Sequence, residues 1–214
     1  MAVVAGRGAR GTLIAGRACA VAGWVFWVAM QVLAGDPFPP EISVSQYGLG
    51  PTGWVFTVWA ITLAAAPLLL LPSLVPAGAP ARRAAAGLLW VGFAGAVVMA
   101  LVRTDDGGGA MSWHAHLHMV GAVVALVLLP LGIVLAMRVT PSGARHAAMA
   151  LAVAAAAVGV LVVVSAAGVD TAGLGAPRSW ALWQGTLVVI DMLLVSVYAV
   201  AAGRARIRTD PAGH

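Results

Sequence analysis

Residues 147–169 read AAMALAVAAAAVGVLVVVSAAGV, 23 positions without one charged side chain. A helix needs about 20 mostly apolar residues to cross the roughly 30 Å hydrocarbon core of a bilayer, and this stretch meets that demand alone. Working outward, five more segments have the same character: 14–35, 53–75, 84–103, 115–137 and 180–202. Gly, Pro or charge bounds each of them. Strands of a membrane barrel are excluded, because they run about 9–11 residues with period-two alternation. The expectation is an all-α, polytopic membrane protein: one transmembrane domain over 1–214, a bundle of six helices, and a short tail at 203–214.

Composition agrees. Of the 214 residues, 62% are hydrophobic and 9% charged, against about 25% charged in a soluble domain. Too few polar groups remain to solvate a globular surface. The net charge of +5 does not indicate nucleic acid, since the basic residues lie in short loops between apolar runs rather than clustered on one face. All twelve are Arg; there is no Lys. The expected contacts are membrane lipids, with a homo-oligomer or another membrane protein as further candidate partners. Cys19 is the single cysteine, so no intrachain disulfide forms and no cysteine cluster holds a metal. Arg7, Arg10 and Arg17 ahead of an apolar run imitate a signal peptide. With five spans following, the run from Ala18 to Ala34 reads instead as a retained first helix.

Arginine sets the orientation, because short cytoplasmic loops carry the excess of Lys and Arg. Arg7, Arg10, Arg17, Arg82, Arg83, Arg138, Arg145, Arg204, Arg206 and Arg208 fall on one side, and only Arg103 and Arg178 on the other. Asp36, Glu41, Asp105, Asp106 and Asp170 occupy the arginine-poor loops. Both termini are therefore expected in the cytoplasm, with the chain in the plasma (inner) membrane. The basic tail after Gly203 is expected to touch anionic headgroups. Trp54, Trp113, Trp180 and Trp183 are placed for an outer aromatic belt. Pro67 and Pro130 should kink helices 2 and 4. Small residues such as Ala155 and Gly159, four apart, place helix 5 inside the bundle or at a dimer seam.

Chemistry-bearing residues concentrate in the arginine-poor loops. From Arg103 to His118 the chain reads RTDDGGGAMSWHAHLH. With a helix starting near Trp113, His114 and His118 share a face and His116 points away. A pair at that spacing can hold one divalent metal such as Zn, with Asp105 or Asp106 as a third ligand. The plain alternative is a solvated helix entrance; a pH-responsive or substrate-binding role is a third. No Glu follows His114, so the zinc-protease helix motif is absent. Haem between helices is excluded, because His146 and His214 lie at the opposite end.

Asp191 is different, standing mid-way along helix 6 among Leu, Val, Ile and Met. A lone carboxylate there costs several kcal/mol, so it is expected protonated or paired, with Gln31, Thr57, Thr62, Ser165 and Gln184 as candidate neighbours. The first outward loop, 36–51, contains ISVSQYG (42–48) and is expected to dip into the mouth of the bundle. Arg178 is expected to pair with Asp105, Asp106 or Asp170, to bind an anionic group, or to stand exposed.

This layout resembles domain-of-unknown-function family 998, membrane proteins of bacteria and archaea. Ser45-Gln46-Tyr47-Gly48 is similar to the family's serine segment before helix 2. Thr104-Asp105 followed by His114 to His118 is similar to its Asp loop leading to a histidine at helix 4, although Val102 and Asp106 replace an aromatic and a proline often found there. Gly175 and Arg178 resemble its Gly and Arg before helix 6. The resemblance implies the six-helix topology and an outer-face polar site of Ser45, Asp105, His114, His118 and Arg178. It implies no reaction.

The favoured function is non-catalytic, in transport, sensing or assembly, with no cofactor. The alternative is a metal-dependent hydrolase acting on a lipid through His114, His118 and Asp105. A proton-coupled carrier using Asp191 is a third reading, without the internal repeat that many carriers show.

Overall fold

The computed structural model describes residues 2–36, 38–106, 111–140 and 142–209, with side chains described for 10–36, 38–106, 111–140 and 143–205. His214 and the tail beyond Thr209 lie outside the described residues, as do the side chains of Arg7, Arg206 and Arg208. Among the described residues there is no strand. The chain forms α1 (Ala2–Ala34), a short 3-10 helix (Val44–Gly48), α2 (Gly53–Leu74), α3 (Pro80–Leu101), α4 (Trp113–Met137), α5 (Ser142–Ala166) and α6 (Ala176–Thr209). All six α-helices are long and apolar enough to cross a membrane. Their ends differ from the hydropathy reading because polar turns continue the helix beyond its apolar stretch. Pro67, Pro72 and Pro130 all lie inside helices that continue past them.

Consecutive helices are neighbours, and α6 closes the ring by packing on α1. α2 also reaches α4 and α6, and α6 reaches α4, so α2 and α6 are the two inner helices. The guanidinium of Arg17 lies close against Gly203, so the basic ends of α1 and α6 share one end of the bundle. At the other end the first long loop is tied to the second and to α6. Gln46 donates to the Asp106 carbonyl, Val44 N–H donates to Gln184 Oε1, and Arg178 pairs with Glu41. Acidic loops and basic helix ends thus occupy opposite ends of the molecule, as the positive-inside pattern requires of a spanning bundle.

Small residues make the closest helix approach, but not where α5 led us to expect. α5 packs chiefly on α6, and it has the smallest buried share of the six spans; Gly159 has nothing beside it. α5 is peripheral, which overturns the placement inside the bundle and leaves the dimer seam. The tight seam joins α3 to α4. A Cβ on Gly95 would stand 2.8 Å from the Gly121 carbonyl oxygen, and one on Gly121 would stand 2.7 Å from that of Gly95. Gly92 against Leu129 and Gly132 against Leu89 extend the seam toward the basic end. Lipid offers apolar side chains no advantage in leaving it, so such close backbone contact is what holds the helices together.

The interior divides into two main apolar clusters. The one toward the loops is built on Met30, Tyr47, Val55, Phe56, Trp59, Val188 and Met192. The one toward the basic end is built on Leu70, Leu89, Ile133, Met137, Leu194 and Tyr198. Three alanines, Ala64, Ala96 and Ala125, form a small cluster of their own.

Candidate functional site

The loops at the arginine-poor end hold most of the residues singled out in the sequence, and the structure uses most of these to shape backbone. Asp105 accepts from both the backbone N–H and the hydroxyl of Ser112, each at 2.7 Å. Ser112 in turn caps α4 by accepting from Ala115 N–H. These bonds to Ser112, with the nearby imidazoles of His114 and His116 contributing less, hold the Asp105 carboxyl below the usual range. Asp170 does the same work ahead of α6. It accepts from the Ser179 hydroxyl at 2.6 Å and from the N–H groups of Ala172, Leu174 and Gly175. Led by the Ser179 and Gly175 bonds, this pulls its carboxyl down to about 2. Asp36 accepts from Glu41 N–H and from the Tyr47 hydroxyl, which also donates to Gln31. Burial first, and the bond to Asp36 second, push the Tyr47 phenol up.

Arg178 does not reach Asp105, Asp106 or Asp170; its partner is Glu41, with both side chains about half exposed. Ser45 sits half-buried in the 3-10 helix. The histidines separate. His114 is exposed and stacks on Trp113 at 3.7 Å between ring centroids. His118 is buried, its Nδ1 2.7 Å from the Val102 carbonyl oxygen, its ring stacked near Phe56. A carbonyl accepts only, so Nδ1 carries the proton, and Nε2 is buried with no partner. His118 therefore braces the end of α3 against α4. The metal triad expected of His114, His118 and Asp105 does not assemble: one histidine faces outward, the other faces a carbonyl, and Asp105 is spent on Ser112. Among the described residues no three His, Cys, Asp or Glu side chains are placed to hold a metal ion.

Inside the bundle the picture reverses. Asp191 is 9% exposed, and its Oδ1 is buried with no hydrogen-bond partner. All five expected neighbours are engaged elsewhere. Gln31 accepts from Tyr47, Thr57 donates to the Gly53 and Ala100 carbonyls, and Thr62 to those of Val58 and Trp59. Ser165 bonds Thr171, and Gln184 accepts from Val44 N–H.

Asp191 lines a cavity of about 50 Å³ between α2, α3, α4 and α6. The void lies where the two apolar clusters meet, bordered by Trp59 and Val188 of one and by Ile133 and Leu194 of the other. Ala60, Ala64, Ala96 and Ala125 supply its walls; their single methyl groups are too short to close the gap. Trp59 also lines it, and its indole Nε1 is buried without a partner. Five buried side-chain polar atoms lack partners among the described residues. Two of them, one acceptor and one donor, belong to side chains that line this one space. Trp59 escaped the sequence reading because its position in α2 looks like ordinary packing.

A family model described as a protein of unknown function, DUF998, matches residues 18–201. The chain belongs to this family. The match runs from α1 into α6, so the tied loops, the α3–α4 seam and the Asp191 cavity all fall within the DUF998 region. No curated protein and no solved structure matches the chain.

Proposed function

We propose that this DUF998 protein is a non-catalytic binding protein of the plasma membrane, a small carrier or sensor, with both termini cytoplasmic. The observation that carries the reading is Asp191, a buried carboxyl left unpartnered at the edge of an apolar cavity. Buried polar atoms in native structures nearly always have a partner, and an ionisable residue inside a membrane bundle marks function by default. The outer polar residues support the same conclusion from the other side. Asp105, Asp170 and Arg178 hold loops in place, so they are scaffold rather than machinery. The lipid-hydrolase alternative requires a metal held by His114, His118 and Asp105, and their arrangement does not support it. The distribution of arginine supports the orientation.

The test fills the void. Ala125→Leu adds three carbons to the wall of the cavity at a site away from Asp191's own helix. With full-length protein in lipid nanodiscs, binding of a small apolar fluorescent probe should be saturable in the wild type and lost in Ala125→Leu. Retained binding in a folded Ala125→Leu protein would place the ligand elsewhere and end this reading.

A further inference from the structure

We infer that the cavity takes an uncharged molecule with a hydroxyl head and a hydrocarbon body, a lipophilic alcohol, held between Trp59 and Asp191. This rests on the proposed binding role and names the class of ligand. Two side chains that line this one space each carry an orphaned polar atom: Trp59 an N–H that can only donate, and Asp191 a carboxyl oxygen that accepts. A hydroxyl group both accepts and donates, so one such oxygen satisfies the pair by accepting from Trp59 Nε1–H and donating to Asp191 Oδ1. An ammonium group would suit the carboxylate but has no lone pair for the indole N–H. A hydrocarbon would leave both atoms bare, at a cost that buried polar groups rarely bear.

Volume decides between an alcohol and water. A buried water needs on the order of 10–15 Å³ of space and two to four polar partners, so about 50 Å³ exceeds one water. Among the lining side chains, only Trp59 and Asp191 carry an orphaned polar atom. The rest of the wall is carbon, from Leu63, Met99, Leu126, Leu129, Ile133 and Leu194 among others. That remainder suits methylene groups and offers further waters nothing to bond. Leu63, Met99, Leu126 and Leu129 are each only partly buried, so the wall is thin enough there for a longer chain to pass toward surrounding lipid.

Infrared difference spectra of the full chain in nanodiscs test this, with the Asp191 carboxyl band identified by its loss in Asp191→Asn. The probes are 1-decanol, decane and decylammonium, each titrated to saturation. The inference requires 1-decanol to shift the Asp191 band while decane leaves it unmoved. Trp59→Phe, which keeps the aromatic bulk and removes the N–H, should weaken the 1-decanol response roughly fivefold, the value of one hydrogen bond. Trp59→Phe also serves should Asp191→Asn fail to fold, because its loss of response is read on the native carboxyl. A band that converts to carboxylate with decylammonium alone would assign an ammonium site and overturn the inference. A band that responds to deuterium oxide but to none of the probes would assign water and overturn it equally. Decane binding as tightly as 1-decanol, with no dependence on Trp59, would overturn the alcohol while leaving the cavity a binding site. If no probe enters and the Asp191 band never moves, both the alcohol and the binding role fall.

Discussion

Asp170 shows how much of the arginine-poor end is architecture. Its carboxylate gathers three backbone N–H groups and the Ser179 hydroxyl, and these bonds favour the charged form. With the folded value near 2 against an ordinary 3.8, the unfolded carboxyl takes up its proton first as pH falls. The stabilisation is therefore complete above about pH 4 and is lost as pH drops through the folded value near 2. Measured against the intrinsic exchange rate at each pH, protection of the Leu174 and Gly175 amides should hold to below pH 4 and fall toward pH 2; in Asp170→Asn it should be low throughout. At the neighbouring loop, Ser112→Ala removes the cap of α4 and should cost about 1 kcal/mol, read from reversible unfolding in mixed micelles. Little change there would mean that Asp105 alone secures the loop.

At the scale of elements, α3 and α4 are bound by the meeting of Gly95 and Gly121. A side chain at either position strikes main chain, which cannot rotate away as a flexible side chain can. Gly121→Val should therefore destabilise the bundle by ~1–3 kcal/mol, the range for overpacked interiors. Gly159→Val in α5, where nothing stands nearby, should change little. Unfolding the two variants side by side checks which helix pair is the seam. The interior alternative for α5 fell because small residues four apart permit close approach without requiring a partner in the same chain. Gly95 was less conspicuous among bulkier Leu, Trp and Phe residues, although it meets Gly121 on the facing helix.

For the whole molecule, the segregation of charge to opposite ends carries the orientation. A green fluorescent protein fused after residue 209 should fluoresce, and an alkaline phosphatase fused there should be inactive, if the basic end is cytoplasmic. The reverse pair of outcomes would invert the protein. This orientation also places the loop end, with its Asp36–Tyr47 and Glu41–Arg178 ties, on the outer side, and leaves the Asp191 cavity between two packed cores.

Hydropathy and charge are properties of the chain itself, and they were enough to determine six helices, their approximate limits and two chemically distinct ends. Solvent selects for both one residue at a time, so no knowledge of neighbours is needed. The family match agrees with that reading. Partnership is another matter. Whether Asp105 binds a metal or a serine, whether Arg178 meets Asp170 or Glu41, and whether Asp191 has a neighbour all depend on distances between helices. Those distances follow from Gly95 against Gly121 and from alanines too short to meet. Only the tertiary structure could show that His114 and His118, joined by spacing, part company, and that Asp191 and Trp59, separated by 132 positions, border the same space.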